Sequence, residues 1–133
     1  MDDPETQVRA ALNALIEAGT SGDLTALDQI YHRDMTIFML NEGEELVQSD
    51  KPNFIAMLSE MVKTNGAPMS TWAHIHSVTV SGPTAHVLID RRVEMGGGLR
   101  SLTLSIDFVH EDGRWQVIRE VILNRPFDAA QAA

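Results

Sequence analysis

Residues 99–124 read LRSLTLSIDFVHEDGRWQVIREVILN, and this stretch decides the fold. Leu102, Leu104, Ile106 and Phe108 alternate with polar neighbours, Trp115 and Val117 resume the alternation, and Asp112-Gly113 between them is a two-residue turn signal. Alternation at period 2 places one row of side chains on each face of a strand, and an Asp-Gly pair between two such runs makes an antiparallel hairpin. Working outward, the same period holds back to Met69. Turn signals at Ser81-Gly82-Pro83 and Gly96-Gly97-Gly98 divide the region into strands over about 69–81, 84–95, 99–111 and 114–124.

Ahead of this meander the period is helical. Asp3 caps a helix that opens on Pro4, where the missing amide proton costs nothing, and Val8, Leu12, Leu15 and Ile16 recur on one face before Gly19 stops it. Asp23 opens a shorter helix carrying Leu24, Leu27, Ile30 and Tyr31, which ends near His32. Met35 to Leu40 is too short and too apolar for a further surface helix and reads as a buried strand. A short partner follows over Glu45 to Gln48, across the Asn41-Glu42-Gly43 turn. Ser49 or Asp50 then caps a third helix, with Phe54, Leu58, Met61 and Val62 as its stripe and Asn65-Gly66 as its stop. Helices first and a meander second make an α+β fold, the helices covering one face of a curved, mostly antiparallel sheet. The expected organisation is one domain over 1–133, with its core at about 4–125 and a fraying tail over 126–133.

Composition narrows the function classes. The 133 residues carry a net charge of −9, which repels a polyanionic partner such as nucleic acid or an acidic membrane surface. Residues 1–60 hold twelve acidic and three basic residues, whereas 61–133 hold seven of each. If two copies associate, the neutral second half is the contact surface. With no cysteine, disulfides, thiolate metal sites and cysteine nucleophiles are excluded. Neither a leader segment nor a membrane-spanning run is read in the chain, and a cytoplasmic location is expected.

The order helix, helix, strand, helix and four long strands, with Gly22-Asp23-Leu24, Ala26-Leu27, Ile30-Tyr31, Asp34-Met35-Thr36 and the late Asp112-Gly113-Arg114-Trp115-Gln116-Val117-Ile118, resembles the nuclear transport factor 2-like superfamily. Within it the chain is most similar to the polyketide-cyclase-like (SnoaL-like) and putative lumazine-binding groups. The resemblance implies a cone-shaped half barrel whose open end holds a small apolar organic ligand, and homodimers through the outer sheet face. That fold hosts isomerases, cyclases and dehydratases as well as non-catalytic modules, so function has to come from residues. Aligned with ketosteroid isomerase, the position of that enzyme's general-base carboxylate falls on Met39 and that of its helix-one tyrosine on Leu15. Asp107 matches its second carboxylic acid, a known example of an acid kept neutral by apolar surroundings.

Two registers compete for the sheet. Counting apolar residues puts Val87, Ile89, Val93, Leu102, Leu104, Ile106, Phe108, Trp115, Val117, Val121 and Leu123 in the core, with Asp90, Arg92, Asp107 and Glu120 outside. The isomerase alignment points His86, Leu88, Asp90, Arg92, Thr103, Ser105, Asp107, Ile118 and Glu120 into the cone instead, and a bulge could switch faces midway. The second register explains why neither face is uniformly polar, and the candidate site follows it. Asp107 is then the acid or base, with His74 or His76 as proton partner. Trp72, Met39, Leu88, Asp90, Ile118 and Glu120 line the pocket. His74 and His76 share a strand face with Trp72, Val78 and Val80, but a bare His-x-His needs a third ligand, His86 or Asp90, so no metal and no cofactor are expected. Met35, Met39, Met57, Met61 and Met69 read as adaptable core filler able to form a forgiving pocket wall. The expected function is binding of a small organic molecule, with isomerisation, cyclisation or dehydration by acid–base chemistry as its reaction class. The alternative is a non-catalytic ligand-binding or dimeric assembly module.

Overall fold

The structure, a computed structural model, describes residues 3–41, 45–65, 72–95 and 98–127. The expected turn residues Glu42 and Gly43, the stop at Gly66, the strand start at Met69 to Thr71, the turn residues Gly96 and Gly97 and the tail 128–133 lie outside the described residues.

Helix α1 (Pro4–Ser21) starts where Asp3 accepts a 2.8 Å hydrogen bond from the Thr6 amide, and runs through the expected stop at Gly19 to Gly22, whose φ of 75° is the left-handed conformation that ends a helix and that glycine adopts freely. Helix α2 (Leu24–Ile30) is capped by Asp23 in the same manner. It ends sooner than the apolar spacing suggests, because Tyr31 is already extended. Strand β1 (Tyr31–Leu40) therefore begins four residues before the predicted start at Met35. His32 lies in that strand with its ring occupied: Nδ1 accepts from the Asp34 amide and Nε2 lies 3.0 Å from the Glu111 carboxylate. Strand β2 (Leu46–Asp50) returns antiparallel, and helix α3 (Lys51–Asn65) follows, with the Asp50 side chain accepting from the Asn53 amide.

Strands β3 (Ala73–Ser81), β4 (Thr84–Met95), β5 (Gly98–Glu111) and β6 (Arg114–Pro126) form the predicted meander. Asp112 and Gly113 turn the last hairpin with φ of 56° and 76°, the pair of positive values that lets two residues reverse a twisted ribbon. The sheet order is β2-β1-β6-β5-β4-β3, antiparallel throughout except for the parallel pairing of β1 with β6. The three helices pack on one face of this curved, unclosed sheet and bury Val8, Leu12, Leu27, Ile37, Ile89, Ile106, Phe108 and Val117 to 1% exposure or less. No helix among the described residues is long and apolar enough to cross a membrane.

Two bulges decide which side chains face the helices. On β6, Val117 pairs with Phe108 and Arg119 with Asp107, leaving Ile118 as an extra residue. Up to Val117 the inner row follows the apolar count. Beyond the bulge the parity reverses, so Glu120 and Ile122 turn inward and Leu123 is left outside, 42% exposed. On β3, Ile75 pairs with Ile89 and Ser77 with Leu88, leaving His76 extra. The predicted common face of His74, His76, Val78 and Val80 is thereby split: the two valines join Ile75 in packing on the core, while both histidines stay exposed.

Candidate functional site

Between the helices and the inner sheet face lies a cavity of about 90 Å³. Helix α1 contributes Leu12, Leu15 and Ile16, and α3 contributes Phe54 and three flexible walls, Met57, Leu58 and Met61. Met39 closes it from β1, and Ile89, Leu104, Ile106 and Ile122 form its floor. Most of the lining is hydrocarbon because β1, β4, β5 and β6 send largely apolar rows inward.

Three polar residues with titratable side chains interrupt that lining: Glu120 on β6, Arg91 on β4 and Tyr31 on β1. Glu120 stands between Ile106 of β5 and Ile37 of β1 in the register and is 2% exposed. Among the described residues its carboxyl has no hydrogen bond and no ion pair within 4 Å, yet no fully occluded side-chain oxygen or nitrogen lacks a partner. The Glu120 oxygens are therefore reached from the cavity. Burial, which penalises the charged form, pushes this carboxyl from 4.5 up to about 7, and the positive charge of Arg91 opposes the rise. Burial lowers Arg91 from its ordinary value, with the Glu120 and Tyr31 charges acting the other way. The Tyr31 phenol is raised, first by burial and then by Glu120, so it stays protonated and able to donate. Its ring is fixed edge-on against Phe54 at 5.6 Å. The Arg91 Nε donates to the Trp72 carbonyl at 3.0 Å, which anchors the guanidinium arm.

Of the residues expected to line the pocket, Met39 and Glu120 line this cavity, and of the methionines read as able to form a pocket wall Met57 and Met61 join them. Asp107 does not, and its placement is a correction: it lies on the opposite sheet face, its carboxylate 3.5 Å from Arg119 Nε. The cause is the strand parity of β5, where Ile106 and Phe108 take the inward positions. Asp107 opens instead onto an outer groove of about 690 Å³ shared with Phe38, His86, Ile118 and Arg119. There His86 Nε2 is 2.7 Å from the Ser105 hydroxyl. His74 and His76 are near neither Asp107 nor the cavity. Their rings meet edge-on at 4.7 Å on the outer face of β3, and His76 Nε2 is 3.0 Å from the Asp90 carboxylate. Asp90 also accepts from Thr103 at 2.8 Å. Burial raises its carboxyl, but the bonds from His76 and Thr103 outweigh burial and leave it below its ordinary value. Leu88, Asp90 and Ile118 thus belong to the outer face. Trp72 is 39% exposed, and the Arg92 guanidinium stacks 3.9 Å over its ring. Among the described residues no group of three metal-ligating side chains converges.

Arg91 and Tyr31 were not singled out from the sequence. For Arg91 a signal exists: Val87, Ile89, Arg91 and Val93 occupy one parity, so a cation sits in an otherwise apolar inward row. Tyr31 carried none, since its spacing fits the end of α2.

A family model described as putative lumazine-binding matches residues 3–121. Solved structures share the architecture at low identity. An NTF-2-like protein of unknown function from Silicibacter pomeroyi is 24% identical, with a TM-score of 0.74 over 90% of this chain and 94% of that one. A second, from Shewanella baltica, is 17% identical with a TM-score of 0.73 over 96% and 100%. A third, from Cytophaga hutchinsonii, is 14% identical with a TM-score of 0.72 over 93% and 100%. No protein of curated function matches the chain. These likenesses at such identity establish the nuclear transport factor 2-like fold.

Proposed function

Given that the chain belongs to the putative lumazine-binding family, we propose that it is a receptor for a small, mainly apolar organic molecule held in the inner cavity against Glu120. The observation that carries this reading is a 2% exposed carboxyl that has no hydrogen-bond or ion-pair partner among the described residues and opens onto a hydrocarbon-lined space. A buried ionisable group with no partner is costly to the fold, so its retention in such a place is accounted for by a ligand that satisfies it. Size limits the occupant. A dry cavity of about 150 Å³ takes a benzene ring, and the space here is about 90 Å³. A single ring enters with small movements of Met39, Met57 and Met61, side chains that repack at little cost. The bicyclic ring system in the family's description requires a larger displacement of the same wall.

Titration with benzene, followed by methyl resonances, tests this. The signals of Leu104, Ile106 and Met39 are expected to shift saturably, and Met57→Trp, which fills the space, is expected to abolish the shifts. Unchanged spectra at benzene saturation overturn the proposal.

One observation favours a second reading, proton transfer on the bound molecule: Glu120 is pushed to about 7, near the pH at which a general acid or base is most effective. In it the carboxylate removes a proton from the carbon beside a ligand carbonyl while Arg91 faces the negative charge that develops on oxygen. Solvent-deuterium exchange into cyclopentanone measures this directly. A rate indistinguishable between the protein and its Glu120→Gln variant rejects it.

The outer sheet face supports self-association as part of the same reading. Phe38, Leu88, Val121 and Leu123 share that face, with Leu123 42% and neighbouring Leu40 37% exposed, and it belongs largely to the charge-neutral half of the chain. Sedimentation of the protein and of Leu123→Asp compares the two states. A monomer at 100 μM for both removes the homodimer.

A further inference from the structure

Resting on the reading of the inner cavity as a ligand site, we propose that its occupant is a compact apolar molecule carrying one hydroxyl group, an alcohol or a phenol, whose hydroxyl pairs with the Glu120 carboxyl. The sheet floor around that carboxyl is hydrocarbon. In register Glu120 stands between Ile106 of β5 and Ile37 of β1, and Ile89, Leu104 and Ile122 continue the floor. The carboxyl is 2% exposed, forms no hydrogen bond and no ion pair among the described residues, and is not fully occluded, so what remains accessible of it opens onto the cavity. Arg91 is engaged elsewhere. Its Nε donates to the Trp72 carbonyl, and its register partner on β5 is Leu102, away from the level of Ile106 and Glu120. An occupant of the floor therefore meets one open polar group there, with apolar side chains on both sides of it.

A carboxyl that titrates near neutrality presents two forms to its ligand. Ionised, it only accepts hydrogen bonds; protonated, it donates through its O–H as well. A ketone or an ether accepts only, and leaves the ionised form without a donor. A pyrrole-type N–H donates only, and leaves the O–H of the protonated form without an acceptor. A carboxylate ligand is repelled by ionised Glu120, and an ammonium ligand brings a second positive charge into a low-dielectric space that already feels Arg91. An amide donates and accepts, but through two atoms, and beside the ionised carboxyl its carbonyl is left among isoleucines. A hydroxyl donates and accepts at one atom and so serves both forms. The remainder of the lining is largely hydrocarbon, so the rest of the molecule is a compact apolar ring. Such a site rejects an analogue whose hydroxyl is replaced by methyl, because the carboxyl then remains buried and unpaired.

The test uses three single-ring probes: benzene, toluene and phenol, the last two matched in size with methyl in place of hydroxyl. At pH 7 phenol is neutral, since a phenolic group titrates near 10. The ratio of the toluene Kd to the phenol Kd is expected to fall about tenfold or more from the intact protein to Glu120→Leu, with benzene bound by both. A ratio that does not change overturns the proposal. A second measurement does not depend on the variant folding: the midpoint of the Glu120 titration, read from its carboxyl carbon resonance in the intact protein with each probe bound. Benzene only excludes solvent, whereas the O–H of phenol donates to the charged form, so the midpoint is expected to be lower with phenol than with benzene. Arg91 on β4 and Tyr31 on β1 also face the space, while α1, α3 and β5 supply uncharged side chains there, a background common to both complexes. An equal or higher midpoint with phenol rejects the inference. Failure of benzene to bind at all refutes the cavity as a ligand site, whereas binding of benzene without these effects of phenol refutes only the hydroxyl pairing with Glu120.

Discussion

The carboxylate of Asp107 lies 3.5 Å from Nε of Arg119, on the sheet face turned away from the helices. This cross-strand pair borders the bulge at Ile118: toward the turn Phe108 faces Val117, and away from it Ile106 faces Glu120. The extra residue allows Val117 and Glu120, three apart in sequence, to share the inner face, and so brings an acid into the cavity while leaving Asp107 outside it.

Asp107→Asn is expected to leave benzene binding unchanged, because the side chain has no access to the inner cavity. Its pair with Arg119 is 39% and 60% exposed, and exposed ion pairs contribute about 1 kcal/mol or less. Urea unfolding of the variant should therefore agree with the parent within about that amount. A loss of binding in a folded variant contradicts the assignment of the site to Glu120.

Stability should decline with rising pH through the titration of Glu120. Its carboxyl has an ordinary value of 4.5, which describes the unfolded chain, and about 7 in the fold. Below the first value both states hold the proton and Glu120 adds no pH dependence. Between the two the unfolded chain has released a proton that the fold retains, so stability falls as pH rises; above about 7 the effect is constant. The total is about 3 kcal/mol. Arg91 on β4 and Tyr31 on β1 are the titratable groups sharing the cavity with Glu120, and the helices supply uncharged side chains there. Chemical denaturation from pH 4.5 to 8 should show the decline in the parent and a flatter profile in Glu120→Gln.

Arg91→Met removes the positive charge that holds the Glu120 carboxyl down. The midpoint of the Glu120 titration, read from its carboxyl carbon resonance, should move above the parent's value. A fall in the midpoint shows that the guanidinium does not act on Glu120 in this manner.

Phe108→Ala should cost about 3–5 kcal/mol, the range for emptying a buried aromatic site. Phe108 is 1% exposed and packs in the core beside the last hairpin. Urea unfolding measures the loss, and a cost under about 1 kcal/mol shows that the hairpin collapses onto the space.

Much of the architecture was open to local reading. Asp3 before Pro4, Asp23 and Asp50 mark helix starts because a carboxylate accepts from the free amides of a first turn. The alternation of Leu102, Leu104, Ile106 and Phe108 is equally local, and their inward parity is the one observed. Tyr31 and His32 fit α2 by spacing but belong to β1, where Tyr31 pairs with Val117, a partner far along the chain. The candidate site was less legible. Met39 and Glu120 were singled out and line the cavity, but Asp107, His74 and His76 were assigned to a face they do not occupy.

The amino-acid order alone determined three helices ahead of a meander, the turn at Asp112-Gly113 and the absence of thiol chemistry, since capping, strand period and composition are properties of neighbouring residues. The tertiary structure decided which titratable groups meet. A bulge is a count of two residues against one across a strand pair, and it exists only once β5 and β6 are in register. Through it Glu120 shares a hydrocarbon cavity with Arg91 of β4 and Tyr31 of β1, and only in that low-dielectric enclosure does an ordinary glutamate become a carboxyl that titrates near neutrality.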